Sequence, residues 1–342
     1  ANTTGNNNIG IGLEALRYNQ TGGNNIAIGV DALEDHTVSN TTAIGYSALK
    51  ENTTGTGNTA VGKGALQLNT TGADNTAVGL EALQYNTGNF NTALGRQALV
   101  ANTSGNHNTA LGYLALDVNT TASRNIAVGS NALGSNTTAS DNTAVGYAAA
   151  GSLDTGAKNT LIGSYAGNTG NTVHFNENVA VGYGAMADVV DSGDNTAVGF
   201  ESGKTDNGGL NTTIGFKAGK GNHSIHLTAV GANAGTNNNS WPNTFIGFNS
   251  GGISADITGE RNTAVGNDSL RSVTSGHTNT CVGHNTLYSA TTVSNGTAIG
   301  AFALDAATTA GNCTAVGKAA LSSDTTGAEN TAIGANAAVA VT

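Results

Sequence analysis

The chain has 342 residues, with 50 glycines, 5% aromatic residues and only 10% charged residues, against roughly 25% charged in an average soluble domain. A single proline and a glycine share well below one third exclude a collagen triple helix, and no stretch approaches the ~18 apolar residues of a membrane span. The formal net charge of −10 is spread along the chain, which argues against a nucleic-acid partner, whose phosphates need clustered basic residues.

The pattern Asn-Thr-Ala-aliphatic-Gly recurs from end to end, and its glycine serves as an anchor. The anchors are Gly12, Gly29, Gly45, Gly62, Gly79, Gly95, Gly112, Gly129, Gly146, Gly163, Gly182, Gly199, Gly215, Gly231, Gly247, Gly266, Gly283, Gly300, Gly317 and Gly334, spaced by 16 or 17 residues apart from two spacings of 19. Twenty copies make the whole chain one array. From Ala1 the first block, residues 1–162, carries Leu four residues after most anchors, as at Leu16, Leu66 and Leu133. In the second block, 163–252, that column turns to glycine, as at Gly167, Gly203 and Gly219, which predicts slimmer coils with an insertion near 169–177. In the third, 253–342, Leu returns at Leu270, Leu287, Leu304 and Leu321 after an insertion near 254–261. The opening at Ala1, without Met or leader, reads as a mature product or a segment of something longer.

The aliphatic and Leu columns lie five apart and are followed by about twelve residues without a fixed large apolar one, which cannot form a helical stripe. The fold class is therefore all-β: a parallel β-solenoid of about 20 flat coils of 16–19 residues, each expected to contribute a strand, a glycine turn, a short second strand and a loop. At about 4.8 Å per coil the expected rod is on the order of 95 Å long. Strand alternation puts the Thr column, three before the anchor, on the same face as the aliphatic column. Both are expected to face the interior, with the Asn and Ala columns outside and the Asn side chains, such as Asn58, Asn75 and Asn91, stacked as an amide ladder. Gly62, Gly79 and Gly95 are turn glycines. One aliphatic, one Leu and one Thr per coil form a thin core against a backbone entropy cost of about 1–2 kcal/mol per residue, so chains packed side by side are expected, with a trimer preferred.

Asn-Thr-Ala-Val-Gly followed two residues later by Ala-Leu resembles the head repeats of YadA-like trimeric autotransporter adhesins, and it also resembles repeat shafts of tailed-phage fibres. The resemblance covers all twenty copies and implies a trimeric, left-handed β-roll. The repeat is longer than in those adhesin heads, and no coiled-coil stalk, membrane anchor or self-cleaving chaperone domain is legible here.

The seven histidines fall mostly singly in variable columns, and His223 with His226 has no nearby partner to complete a metal set. No phosphate-binding glycine loop, calcium nonapeptide or carboxylate pair is present, so no catalytic residue, cofactor or metal ligand is assigned. Cys281 and Cys313 lie two coils apart, too far to bridge, and are expected as free thiols. Asn-x-Ser/Thr sequons, among them Asn52, Asn69, Asn102 and Asn119, coincide with the repeat loop. Aromatics follow several anchors, and Phe200, Phe216 and Phe248, joined by Trp241 in a neighbouring loop, are candidate contacts for a glycan or receptor; the competing reading is that they cover an edge or a chain interface.

The function expected is a non-enzymatic extracellular fibre or fibre shaft on a virion or cell surface. Its partner is itself, with a cell-surface glycan or receptor on one face, and neither nucleic acid nor membrane insertion. The second reading is a subunit of an end-to-end polymerising filament. An ice-binding solenoid ranks lower because the Thr column is expected to share a face with the core, and a polysaccharide-degrading solenoid because no carboxylates converge.

Overall fold

The computed structural model describes residues 3–169, 175–189, 192–252 and 256–339. They form a parallel β-solenoid, with no helix among the described residues. The chain divides into two compact units, Ala1–Phe175 and Asn176–Thr342.

Unit 1 stacks ten three-residue strands in chain order, from Ile9–Ile11 and Ile26–Ile28 to Thr143–Val145 and Thr160–Ile162. Unit 2 stacks ten more strands, of three or four residues, from Val179–Val181 and Thr196–Val198 to Thr314–Val316 and Thr331–Ile333. Within each unit every strand pairs in parallel with the next coil's strand and the columns align, as in Thr59↔Thr76, Ala60↔Ala77 and Val61↔Val78. The anchor glycines make the corner after each strand. Gly79 has φ +136°, and a Cβ there would sit 2.4 Å from the Gly95 carbonyl oxygen, so only glycine lets successive coils stack this closely.

Each coil has one strand in this sheet, and the expected second strand is a left-handed turn instead. The residues two and four after the anchor hold positive φ, as at Glu81 (57°) and Leu83 (52°). Two such residues curl the chain too tightly for a strand, yet they still ladder coil to coil: Leu66 N–H donates to Ala82 O at 3.0 Å, and Gly64 N–H to Tyr46 O at 2.9 Å. A left-handed Leu costs about 1–2 kcal/mol, which burial of its side chain, about 1.5–3 kcal/mol, offsets.

The two faces of the sheet are the reverse of the expectation. The Ala column and the Asn column are buried, as at Ala60, Ala77, Asn75 and Asn91, whereas the Thr and aliphatic columns point outward. Volume decides this. The Leu turn lies so close behind the sheet that only a small side chain, Ala in nearly every coil and Cys281 in one, fits opposite it, and a second column of small residues, Ala65, Ala82 and Ala98, completes the interior.

Asn enters this narrow space because its amide replaces water for the backbone. Asn75 N–H donates to Asn58 Oδ1 and Asn91 N–H to Asn75 Oδ1, both at 2.9 Å. The Asn58 and Asn75 amides donate to Gly72 O at 2.7 Å and Gly88 O at 2.9 Å. The ladder thus runs mainly from side chain to backbone, inside the coil. A second buried ladder, Asn52, Asn69, Asn86, Asn102, Asn119 and Asn136, stands in what reads from sequence as a polar loop. Here amide meets amide, Asn102 Nδ2 donating to Asn86 Oδ1 at 2.6 Å and Asn119 Nδ2 to Asn102 Oδ1 at 2.8 Å.

In three of the five coils where glycine replaces Leu, the space is filled from the opposite wall of the same coil; in the other two, Ala197 and Ala229 are kept, and Gly203 and Gly235 face Thr213 and Phe245 of the next coil. A Cβ on Gly167 would lie 2.7 Å from the Leu161 methyls, on Gly219 2.3 Å from Thr213 Cγ2, and on Gly251 2.1 Å from the Phe245 ring. Leu161, Thr213 and Phe245 all stand in the Ala column of those same coils, and all three are buried. Of the stretch near 169–177, residues 170–174 lie outside the described residues, and Phe175 is buried. Of 254–261, residues 254 and 255 lie outside them, while Ile257 is buried and exchanges backbone hydrogen bonds with Asn237 and Asn239 at 2.9 and 2.8 Å.

Candidate interaction surfaces

In both units the reversed faces place an apolar sheet surface in solvent. The Thr and aliphatic columns alternate outward along each strand, with Leu94 50% exposed in unit 1 and Ile299 40% in unit 2. In several coils an aromatic residue after the anchor extends this surface at the corner, with Tyr46, Tyr113, Tyr183 and Phe216 about half exposed, whereas other coils place Lys63, Arg96 or Lys318 there. Ten coils at about 4.8 Å, each presenting some 15 Å of strand and corner, give about 700 Å² per unit. The aliphatic column runs through this face without a break, and continuous exposed apolar surface of this kind marks interaction sites.

Within the corner column of unit 2, Tyr183, Phe200 and Phe216 form one stack. Ring centroids are 5.4 Å apart for Tyr183 and Phe200 and 5.3 Å for Phe200 and Phe216, each pair within 10° of parallel. Lys217 Nζ lies 4.8 Å from the Phe216 ring centroid. Phe248 occupies the same column beyond Ala232, and Trp241 sits in the loop before that coil; both are exposed, and among the described residues no ring contact joins either to the stack. Of the four aromatic candidates, therefore, only Phe200 and Phe216 are brought together. In the same unit a surface cavity of about 530 Å³ is lined by Thr205, Lys217, Lys220, Gly221, Asn233 and Asn237, with no aromatic residue. Its residues lie in columns two, five and six after the anchor, which show no recurring type in sequence, and sequence reading alone missed it.

The buried ionisable groups are substitutes within the second Asn ladder. His36 takes one Asn position, its Nε2 3.2 Å from Asn25 Oδ1 and its Nδ1 3.0 Å from Asn52 Nδ2. Burial lowers its pKa to about 4, so the ring is neutral and fits as a donor and an acceptor. Asp206 takes another, its carboxylate accepting from Asn222 Nδ2 at 2.9 Å, Asn211 Nδ2 at 3.1 Å and Gly208 N–H at 3.1 Å. Burial outweighs these bonds and raises its pKa to about 7.

Both cysteines are free and buried. Cys281 takes an Ala position, where burial pushes its thiol up; Cys313 takes an Asn position and donates to Gly327 O at 3.2 Å. The sequon residues Asn52, Asn69, Asn102 and Asn119 are fully buried with their amides hydrogen-bonded, so glycosylation there is incompatible with the ladder. One acidic cluster, Glu14, Asp31 and Glu34, lies among the described residues. Arg17 pairs with Glu14 at 2.8 Å and Lys50 with Glu34 at 3.2 Å, so it is already countered by cations.

The fold and surfaces define a β-solenoid repeat protein with a buried amide core and an exposed apolar sheet. Comparisons with family models, with curated proteins and with solved structures find no match to this chain.

Proposed function

We propose that this chain is a structural, non-enzymatic segment of an extracellular fibre, in which copies pack side by side through the outward Thr and aliphatic columns, three to a bundle. The exposed apolar sheet carries the reading. Its area of about 700 Å² per unit is close to the ~800 Å² per partner of a stable protein interface. Its Thr and aliphatic columns hold no charged residue, and the flat register lets identical surfaces meet along their length. Continuous backbone ladders supply the stiffness a shaft needs. A carried receptor or glycan contact is a separate property of the corner and turn faces.

The test is mass in solution by light scattering, with negative-stain images, for the wild type and for a Val61→Lys, Val145→Lys, Val198→Lys triple variant. All three side chains are partly exposed, so the variant keeps its β-sheet circular dichroism. A trimer that the variant breaks to monomers supports the proposal, whereas a wild-type monomer overturns it. Long filaments would favour end-to-end polymerisation.

The outward Thr column favours a second reading, a surface that orders water or a crystal lattice. An outward Thr column is open to ice or a crystal face, unlike the inward column expected from the sequence. Ice-growth inhibition by the wild type that is lost in a Thr→Lys series, with a monomeric mass, supports this reading over the fibre.

A further inference from the structure

We propose that the hollow on the turn face of unit 1, between Asp117 and Asn168, binds an amino sugar through its free ammonium. In earlier coils the column five after the anchor carries side chains that cover this face, where Gln84 Nε2 donates to Gln67 Oε1 at 3.0 Å, but two successive coils place Gly134 and Gly151 there. A Cβ on Gly134 would meet nothing nearer than the backbone oxygens of Asn131 at 3.3 Å and Gly151 at 3.6 Å, so backbone, not a side chain, bounds the space. The result is a surface cavity of about 290 Å³, close to the lower bound for small-ligand sites. Asp117 and Asn168 stand at its two ends, three coils and about 14 Å apart.

Asp117 supplies the charge. Burial pushes its carboxyl pKa up, the N–H groups of Asp117 and Val118 hold it partway back, and among the described residues no cation pairs with it. Two other sheltered carboxylates of this chain have their cation, Glu34 with Lys50 at 3.2 Å and Glu201 with Lys220 at 2.7 Å. An ammonium arriving from outside would replace the hydration that Asp117 has lost. Around it the side chains of Asn131, Ser135 and Ser152 make no hydrogen bond among the described residues, and Asn168 spends its oxygen on the Ser152 N–H at 3.0 Å and keeps its amide N–H groups.

The chemistry matches an amino sugar better than a metal ion or a bare amine. A calcium ion gathers about 6–8 oxygen ligands around one point, whereas these groups are strung along four coils. A simple diamine would leave the hydroxyl and amide groups unused. In an amino sugar the ammonium donates charge-assisted hydrogen bonds to the Asp117 carboxylate, and the Asn and Ser groups of the following coils exchange hydrogen bonds with the ring hydroxyls. Every lining residue falls two, five or six after its anchor, away from the outward Thr and aliphatic columns, so the site is independent of the assembly proposed above.

The test is titration calorimetry of the full chain with deacetylated chitobiose, N,N′-diacetylchitobiose and putrescine, at about 0.15 M salt to screen the net charge of −10. Binding of the free-amine sugar at least about tenfold tighter than of the acetylated sugar and of putrescine supports the proposal. Asp117→Asn should weaken the free-amine sugar about tenfold and leave the acetylated one unchanged. Gly134→Gln, which puts in this coil the residue that Gln67 and Gln84 supply in theirs, should fill the hollow and weaken both sugars. Circular dichroism with light-scattering mass verifies folding in each variant. Free-amine affinity no better than that of the acetylated sugar or of putrescine, or unchanged in Asp117→Asn or in Gly134→Gln, overturns it. Loss of trimer with binding intact would sink only the assembly reading.

Discussion

Phe245 and Gly251 offer a direct test of how the interior is filled. Phe245 is fully buried in a column where most coils carry Ala, and Gly251 of the same coil stands where most carry Leu. Phe245→Ala removes a ring whose loss from a core costs about 3–5 kcal/mol. Gly251→Leu alone is worse than neutral, because its Cβ would lie 2.1 Å from the ring; overpacking of this kind costs about 1–3 kcal/mol or more. The double variant recreates the composition of the Ala60–Leu66 coil. It should lose only about 1–2 kcal/mol, the cost of a left-handed Leu plus the part of the ring that also covers Gly235. The coupling energy is then about 2 kcal/mol or more, at the upper end for residues in contact. The assay is urea unfolding of all four proteins, joined by hydrogen exchange at the amides of Gly247, Gly251 and Gly266, because a repeat array opens locally. Additive losses, with the double variant as unstable as the sum of the singles, would refute the claim that the two walls share one volume.

Three further outcomes follow from the buried polar column. Asp206 has its pKa raised from 3.8 to about 7, so unit 2 stability is full below pH 3.8 and falls by about 4 kcal/mol as pH rises to 7. Asp206→Asn should abolish that slope and stabilise unit 2 at pH 7, measured as urea midpoints at pH 4.5, 7 and 8.5; its template is Asn86, which donates to Gly88 O at 2.8 Å. His36 has its pKa lowered from 6.5 to about 4, so unit 1 loses about 3 kcal/mol as pH falls from 6.5 to 4. His36→Asn should remove this acid sensitivity, and a wild-type unit 1 whose amide exchange protection is flat across that window would contradict the assignment. Asn75→Ala leaves Asn91 N–H without its partner, while Gly88 O keeps the Asn86 amide, a loss of about 1–3 kcal/mol that hydrogen exchange at the Asn91 amide should report directly.

The repeat, its β class, the coil count and the turn glycines are legible in the sequence because backbone stacking imposes its period on every copy. The strand alternation is legible too, and it separates Thr and aliphatic residues from Asn and Ala. Which set faces inward is not carried by alternation. Hydropathy favours Val inside and Asn outside, yet the interior is set by the distance between the sheet and the left-handed Leu turn, and that distance admits Ala and excludes Val. A signal for it does exist: Leu161, Thr213 and Phe245 enlarge the Ala column in coils where Gly167, Gly219 and Gly251 empty the Leu column. Such compensation joins two columns only if both line one cavity. The Asn ladders hide for a related reason, since a buried amide is stable only where backbone groups of the next coil meet it. Likewise Phe200 and Phe216 are visible as recurring aromatics, but their stacking depends on successive coils lying in register. Sequence alone determined the period and the ladder of the backbone; tertiary structure decided which face is solvent, because that choice turns on volume and hydrogen-bond geometry across the coil.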